Sequence, residues 1–303
     1  MWHDPGRVEA LDFTGGSGGR EAFPQPPYVF QEEAGGGTGA KIILNDANKR
    51  QWEVKWGPEA KPEVFATRLL WAAGYIVEPS YFVSNGKIDS VDHLTRAESH
   101  IDRSNSNAFR DARFELRDLR SLPLPTSNWT WDRNPFAGTR ELAGLRVMTM
   151  LVSNWDTKDA SSSDGPNTMI LKVKREDGTE EMRYMVNDWG ATMGKWGNIV
   201  TRGKWDCEGY KAQTRGFVKG IDHNGMVGFA YQGKHTDTIA RGIHVSDVQW
   251  LMTYLGAITN EQIRAGLKAS GANEHEIDCF AGSVRSRIEQ LRKVAQVQTV
   301  TRR

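Results

Sequence analysis

The chain has 303 residues, 38% hydrophobic and 25% charged, with 39 basic and 38 acidic side chains and a formal net charge of +1. That length can bury a substantial core as one large domain or two lobes around a cleft, and the near-neutral balance implies no nucleic-acid partner. The apolar runs at 69–73 and 147–152 fall far short of the roughly 20 residues a membrane helix requires, so no transmembrane segment is expected.

The start, Met1-Trp2-His3-Asp4-Pro5, lacks the basic-then-apolar order of a signal peptide. This leaves a soluble cytoplasmic protein, or an exported one whose signal is absent from this sequence. Residues 1–34, rich in Gly and Pro, read as an extended arm packed on the surface. From Lys41 the pattern becomes strand, turn, strand, with Trp52, Val54 and Trp56 on one face and Lys55 on the other. A helix then starts near Pro62, carries the stripe Phe65, Leu69, Ala72 and stops at Gly74. One or two short strands follow over 75–83. A boundary is expected near 84–95, which divides the chain into the arm, a small nucleotide-covering lobe at 35–90 and a larger lobe at 91–303.

Beyond the boundary, Leu142, Leu145, Met148 and Val152 have helical spacing, and a hairpin is expected from residues 169–173 and 182–186. The last third is helical: 245–255, then a cap at Thr259-Asn260-Glu261-Gln262, then the stripe Ile277, Phe280, Val284, Ile288, Leu291, Val294. The class is α+β. Cys207 and Cys279 have neither framework nor zinc spacing and read as two unpaired thiols. The eleven tryptophans read as structural wedges, because stacking surfaces for single-stranded nucleic acid also need a basic groove.

Chemistry concentrates in two segments, Asn154-Trp155-Asp156-Thr157-Lys158-Asp159 and Asn187-Asp188-Trp189-Gly190, downstream of Gly35-Gly36-Gly37-Thr38-Gly39 and of Lys55. In that order they supply a backbone cradle, a cation, a carboxylate to orient an acceptor and a carboxylate for a metal, the parts of an ATP site. The glycine run lacks the lysine and hydroxyl of a P-loop, and the histidines have no zinc-hydrolase spacing.

On these residues the chain resembles the atypical protein-kinase-like phosphotransferases, and more closely a bacterial group distantly similar to toxin-type Ser/Thr kinases and lipid kinases. The resemblance implies a two-lobed protein-kinase-like fold, with a small β-rich N-terminal lobe and a larger, mainly helical C-terminal lobe. It also implies ATP and Mg²⁺ as cofactors. Gly36, Gly37, Thr38 and Gly39 would cover the nucleotide, Lys55 would pair with its phosphates, and Glu63, or Glu59, would hold Lys55. Asp156, with Lys158 beside it, would serve the acceptor, and Asp188 would bind the metal. The asparagine expected five residues after Asp156 is Ser161, so Asp159, Ser161 and Asn167 are candidate metal ligands. Asp206 and Glu208 are candidate acceptor-docking residues. The acceptor is an unidentified protein, sugar, lipid or small-molecule hydroxyl. A nucleotide-binding pseudo-enzyme or scaffold, and an AMP transferase, are the alternatives.

Overall fold

The computed structural model describes residues 1–35, 39–117, 121–124, 127–175, 177–198 and 200–297. Alternation of side chains governs its first half. Strands β1 (Tyr28–Glu33), β2 (Lys41–Asn45), β3 (Gln51–Lys55), β4 (Ser80–Asp89) and β5 (Ala108–Leu116) close into a barrel in the order β1-β2-β3-β5-β4. In β3, Trp52 and Val54 point inward and are fully buried, which leaves Glu53 and Lys55 on the opposite face. Ile42, Leu44, Tyr81, Phe109 and Phe114 fill the rest of the interior.

Two expectations change here. The arm does not stay on the surface: residues 28–33 form β1, and Val8 and Phe13 are buried. The expected 84–95 boundary cuts through β4, and the barrel takes its fifth strand from residues beyond 100. Alternation is weak in this stretch because Ser84, Asn85, Arg110 and Asp111 are exposed, so its strands leave little trace in the sequence.

Helix α1 (Ala60–Ala72) is buried on almost every side, eleven of its thirteen residues being inaccessible. It packs on β4 and β5 and also on helices of the second half. Arg68 is tolerated in its interior because its guanidinium donates to the carbonyls of Phe13 (2.7 Å), Val64 (2.7 Å), Ser80 (3.2 Å) and Thr14 (3.2 Å).

The second half begins with the short strand β6 (Ser121–Pro123), helix α2 (Arg140–Leu151) and the hairpin of β7 (Thr168–Lys174) and β8 (Glu180–Val186). Helix α3 (Cys207–Thr214), the pair β9 (Val218–Ile221) and β10 (Val227–Phe229), and helices α4 (Thr236–Ala240), α5 (Val245–Leu255), α6 (Asn260–Ala269) and α7 (Glu274–Ala295) complete it. Capping boxes start α6 (Thr259 with Gln262) and α7 (Asn273 with Glu276). The α7 stripe is buried as its spacing predicts, each large apolar side chain contributing roughly 1.5–3 kcal/mol.

The expectation of two unpaired thiols is corrected. Cys207 at the start of α3 is joined to Cys279 on α7 by a disulfide, with Cα atoms 6.1 Å apart. A separation of 72 residues leaves no local signature; packing of α3 on α7 brings the two together.

Candidate functional site

Lys55, the last residue of β3, projects from the outer face of the barrel toward α1. Its ammonium contacts Glu59 and lies 3.9 Å from Glu63 Oε2. Burial disfavours the charge, but Glu63, Asp188 and Glu59 together raise the Lys55 ammonium above its ordinary value. Glu59 is likewise opposed by burial, yet Lys55 and Lys204 hold it down to about 2.

Behind this pair lies a buried charge cluster. Arg113 on β5 donates to Glu63 (2.7 Å) and Glu53 (2.9 Å) and also contacts Glu115. Burial pushes Glu63 and Glu115 each up to about 8 although Arg113 lies beside both. The cluster contains more carboxyls than cations, and burial disfavours ionising all of them together.

The Asp188-Trp189-Gly190 turn follows β8. Trp189 is buried and donates through Nε1 to the carbonyl of Val186 at 3.0 Å, while the Gly190 amide donates to Asp188 Oδ1 at 2.9 Å. A Cβ on Gly190 would come within 2.7 Å of Glu59 Cβ, so the glycine lets this turn lie flat against the start of α1. The Asp188 carboxylate is near enough to act on Lys55, Glu63 and Arg113 alike.

The same turn meets the other Asp segment. Asn154 Nδ2 donates to the Asp188 carbonyl at 3.4 Å, and Asn154 Oδ1 accepts from the Asp156 amide at 3.0 Å. Asn167, at the foot of β7, donates through Nδ2 to the Asp156 carbonyl at 2.7 Å and to Asp156 Oδ2 at 3.3 Å. Lys158 and Lys234 flank Asp156, with nitrogens 3.4 and 3.6 Å from its oxygens. Buried Arg287 on α7 anchors the segment from behind, donating to the Leu151 carbonyl (2.9 Å) and Ser153 Oγ (2.8 Å). Ser153 sits at φ 58°, a left-handed conformation that turns the chain sharply out of α2.

Lys55, Glu63, Asp156, Lys158, Asn167 and Asp188 are thus drawn into one region. Asp159 and Ser161 are engaged elsewhere in their loop. Ser161 Oγ donates to Asp159 Oδ1 at 2.6 Å, the Trp131 amide donates to Asp159 Oδ2 at 3.0 Å, and His235 lies 3.5 Å from Oδ1. Asp206 is the N-cap of α3, accepting from the Gly209 amide at 2.9 Å. Gly36, Gly37 and Thr38 lie outside the described residues. Gly39 lies over Lys55, where a Cβ would come 3.1 Å from Lys55 Cε.

Sequence reasoning missed Lys204, which contacts Glu59 and lies 5.4 Å from the ring of Trp155. Its partner is 145 residues away in sequence, and nothing local marks the pairing. Among the described residues, the grouping of metal-ligand types that falls within 4.8 Å is Cys207, Glu208 and Cys279, and its sulfurs are joined to each other. A cavity of about 820 Å³, walled by Tyr75, Ile76, Glu78, Leu171 and Arg183, is not lined by Lys55, Asp156 or Asp188. The chemistry is therefore placed by charge and hydrogen bonding, not by this hollow.

No protein-family model and no curated protein matches the chain. Among solved structures, it is similar to the Golgi casein kinase at a TM-score of 0.39 and 9% identity, over 92% of this chain and 74% of that one. A second is the Rio2 kinase–ADP/Mg²⁺–phosphoaspartate complex from Chaetomium thermophilum, at a TM-score of 0.35 and 12% identity, over 86% and 72%. The Golgi casein kinase with Mn and ADP bound follows at 0.33 and 8%, over 90% and 74%. Likeness at this level carries no residue role or activity to this chain.

Proposed function

We propose that this protein is an ATP- and Mg²⁺-dependent phosphotransferase of two-lobed, kinase-like architecture, moving the γ-phosphate to a hydroxyl acceptor. The observation that carries the reading is the convergence of three groups from distant parts of the sequence. Lys55 is kept charged in part by Asp188, and the Asp188 turn is hydrogen-bonded through Asn154 to the Asp156 segment. A cation, a carboxylate for a metal and a carboxylate for an acceptor are what phosphoryl transfer requires.

Asp188 and Asn167 offer oxygen donors only, which suits Mg²⁺, a hard cation. Bound there, the ion would neutralise charge on the phosphate oxygens. Lys55 binds the phosphates, with Glu63 beside it. Asp156 orients the acceptor hydroxyl and takes its proton as the new oxygen–phosphorus bond forms and the bond to the β-phosphate oxygen breaks, releasing ADP. The acceptor's class, whether protein, sugar, lipid or metabolite, does not alter these roles.

Asp188→Asn and Asp156→Asn separate the assignments. Asp188→Asn is expected to weaken Mg²⁺-dependent ATP binding by about tenfold in calorimetry, since it removes a charged ligand. Asp156→Asn should leave that binding nearly unchanged and lower phosphate transfer, or slow ATP hydrolysis, by about 10²–10⁴-fold. Indistinguishable mutants would reject the roles, and label transferred from α-phosphate instead of γ-phosphate would make the protein an AMP transferase.

A further inference from the structure

Glu59 stands between two ammonium groups. One of its carboxylate oxygens contacts Lys55 and the other contacts Lys204, which belongs to the segment following the Asp188 turn. Its stem packs on Gly190, two residues from Asp188. At the N-cap position of α1 its side chain makes no capping hydrogen bond to the helix. The carboxylate is fully ionised at neutral pH, being held down to about 2.

A second observation concerns Glu63. Its Oε1 accepts from Arg113, whereas its Oε2 is buried and accepts no hydrogen bond among the described residues. That unpartnered oxygen lies 3.9 Å from the Lys55 nitrogen. A buried acceptor without a donor is unfavourable, so the site already contains the atom to which Lys55 would move on leaving Glu59.

We infer that Glu59 is a resident anion in the position of the nucleotide's β- and γ-phosphates, and that Lys204 is a second phosphate-binding cation. This rests on the nucleotide-binding reading above. An incoming polyphosphate displaces the Glu59 carboxylate, bridges Lys55 and Lys204 in its place, and lets Lys55 swing to Glu63 Oε2. The exchange substitutes one anion for another between the same two cations, and the displaced Glu59 carboxylate, already part-exposed, turns to solvent. Glu59 therefore restrains binding, and Lys204 promotes it.

The two ends of one ion pair are then expected to act with opposite sign, which a merely structural bridge would not do. The test is calorimetry on the full chain with Mg²⁺, using ATP, AMP and inorganic tripolyphosphate as probes. Glu59→Gln should tighten ATP and tripolyphosphate by about tenfold, and Lys204→Ala should weaken both by about tenfold, the scale of one charge-assisted contact. AMP, lacking the outer phosphates, should change by less than about twofold in either variant.

Weakening of ATP by both substitutions, equal weakening of ATP and AMP, or no effect of either would overturn the inference. Failure of the nucleotide reading looks different: wild type and Glu59→Gln would bind neither ATP nor AMP. Tripolyphosphate needs no base-binding surface, so a tenfold gain for it in Glu59→Gln would uphold the resident-anion role even then. Absence of that gain would end both.

Discussion

Two buried arginines stand behind the two halves of the candidate site, and their surroundings could hardly differ more. Arg113, behind Lys55, is surrounded by the carboxylates of Glu53, Glu63 and Glu115. Arg287, behind the Asp156 segment, is held by neutral groups: the carbonyls of Met150, Leu151 and Tyr210, the hydroxyls of Ser153 and Thr214, and the rings of Tyr210 and Trp196. Burial raises carboxyls in the first cluster and lowers Arg287 to about 10 in the second. Charges that share protons and cations respond to ligands and to pH. A guanidinium saturated by fixed carbonyls does not. The Lys55 side is built to change partners, and the Asp156 side to hold still.

The largest effect is expected where the fixed side is broken. Arg287→Ala removes the donor to several buried acceptors and leaves a cavity beside Tyr210, so unfolding free energy should fall by about 3–5 kcal/mol in urea titrations. The loss should be nearly the same at pH 5 and pH 8, because its acceptors do not titrate. A loss below about 1 kcal/mol would show that this wall is not the rigid one.

Arg113→Met attacks the responsive side, and its effect should depend on pH. In the wild type, burial raises Glu63 and Glu115 to about 8 and Glu78 to about 7. Between the ordinary carboxylate value and those values the folded state binds protons that the unfolded chain has released, so stability declines as pH rises from about 5 to 8. Glu59, depressed to about 2, acts oppositely, but only as pH falls below its unfolded value. Removing Arg113 leaves the carboxylates without their cation, at a loss of about 3 kcal/mol at pH 8 and roughly half of that near pH 5, where protons replace it. Melting curves at the two pH values check this; a pH-independent loss would erase the contrast with Arg287.

The same contrast governs what the sequence discloses. The strand of Trp52 and Val54, the cap at Thr259 and the α7 stripe are written in local sequence, and all form as read. The separate Asp156 and Asp188 segments, with Lys55 ahead of them, were visible as an order of residue types. What joins them was not. Arg113 belongs to a strand whose exposed residues hide its alternation, Lys204 reaches Glu59 across 145 residues, and Cys207 reaches Cys279 across 72. Counting five residues from Asp156 led to Ser161. The loop between Asp159 and Asn167 is long and contains Gly165 and Pro166, and it returns the chain so that the side chain eleven residues on meets Asp156.

That return separates Asn167 from Ser161 and yields the smallest expected effect. Asn167 is buried, and its amide fixes the Asp156 carbonyl and carboxylate; Asn167→Ala would let the segment drift, and a displacement near 1 Å lowers turnover by about 10²-fold. Ser161 donates its hydroxyl to Asp159 in a neighbouring turn whose other contacts, from the Trp131 and Ser161 amides, survive the loss of that hydroxyl. Ser161→Ala should therefore lower stability by about 1 kcal/mol and leave Mg²⁺-dependent nucleotide binding and turnover within about twofold of wild type. Calorimetry and turnover on the two variants side by side decide the matter. If Ser161→Ala abolished Mg²⁺-dependent binding while Asn167→Ala did not, the metal would belong to the Asp159 turn, and the fixed side of the site would have been assigned to the wrong loop.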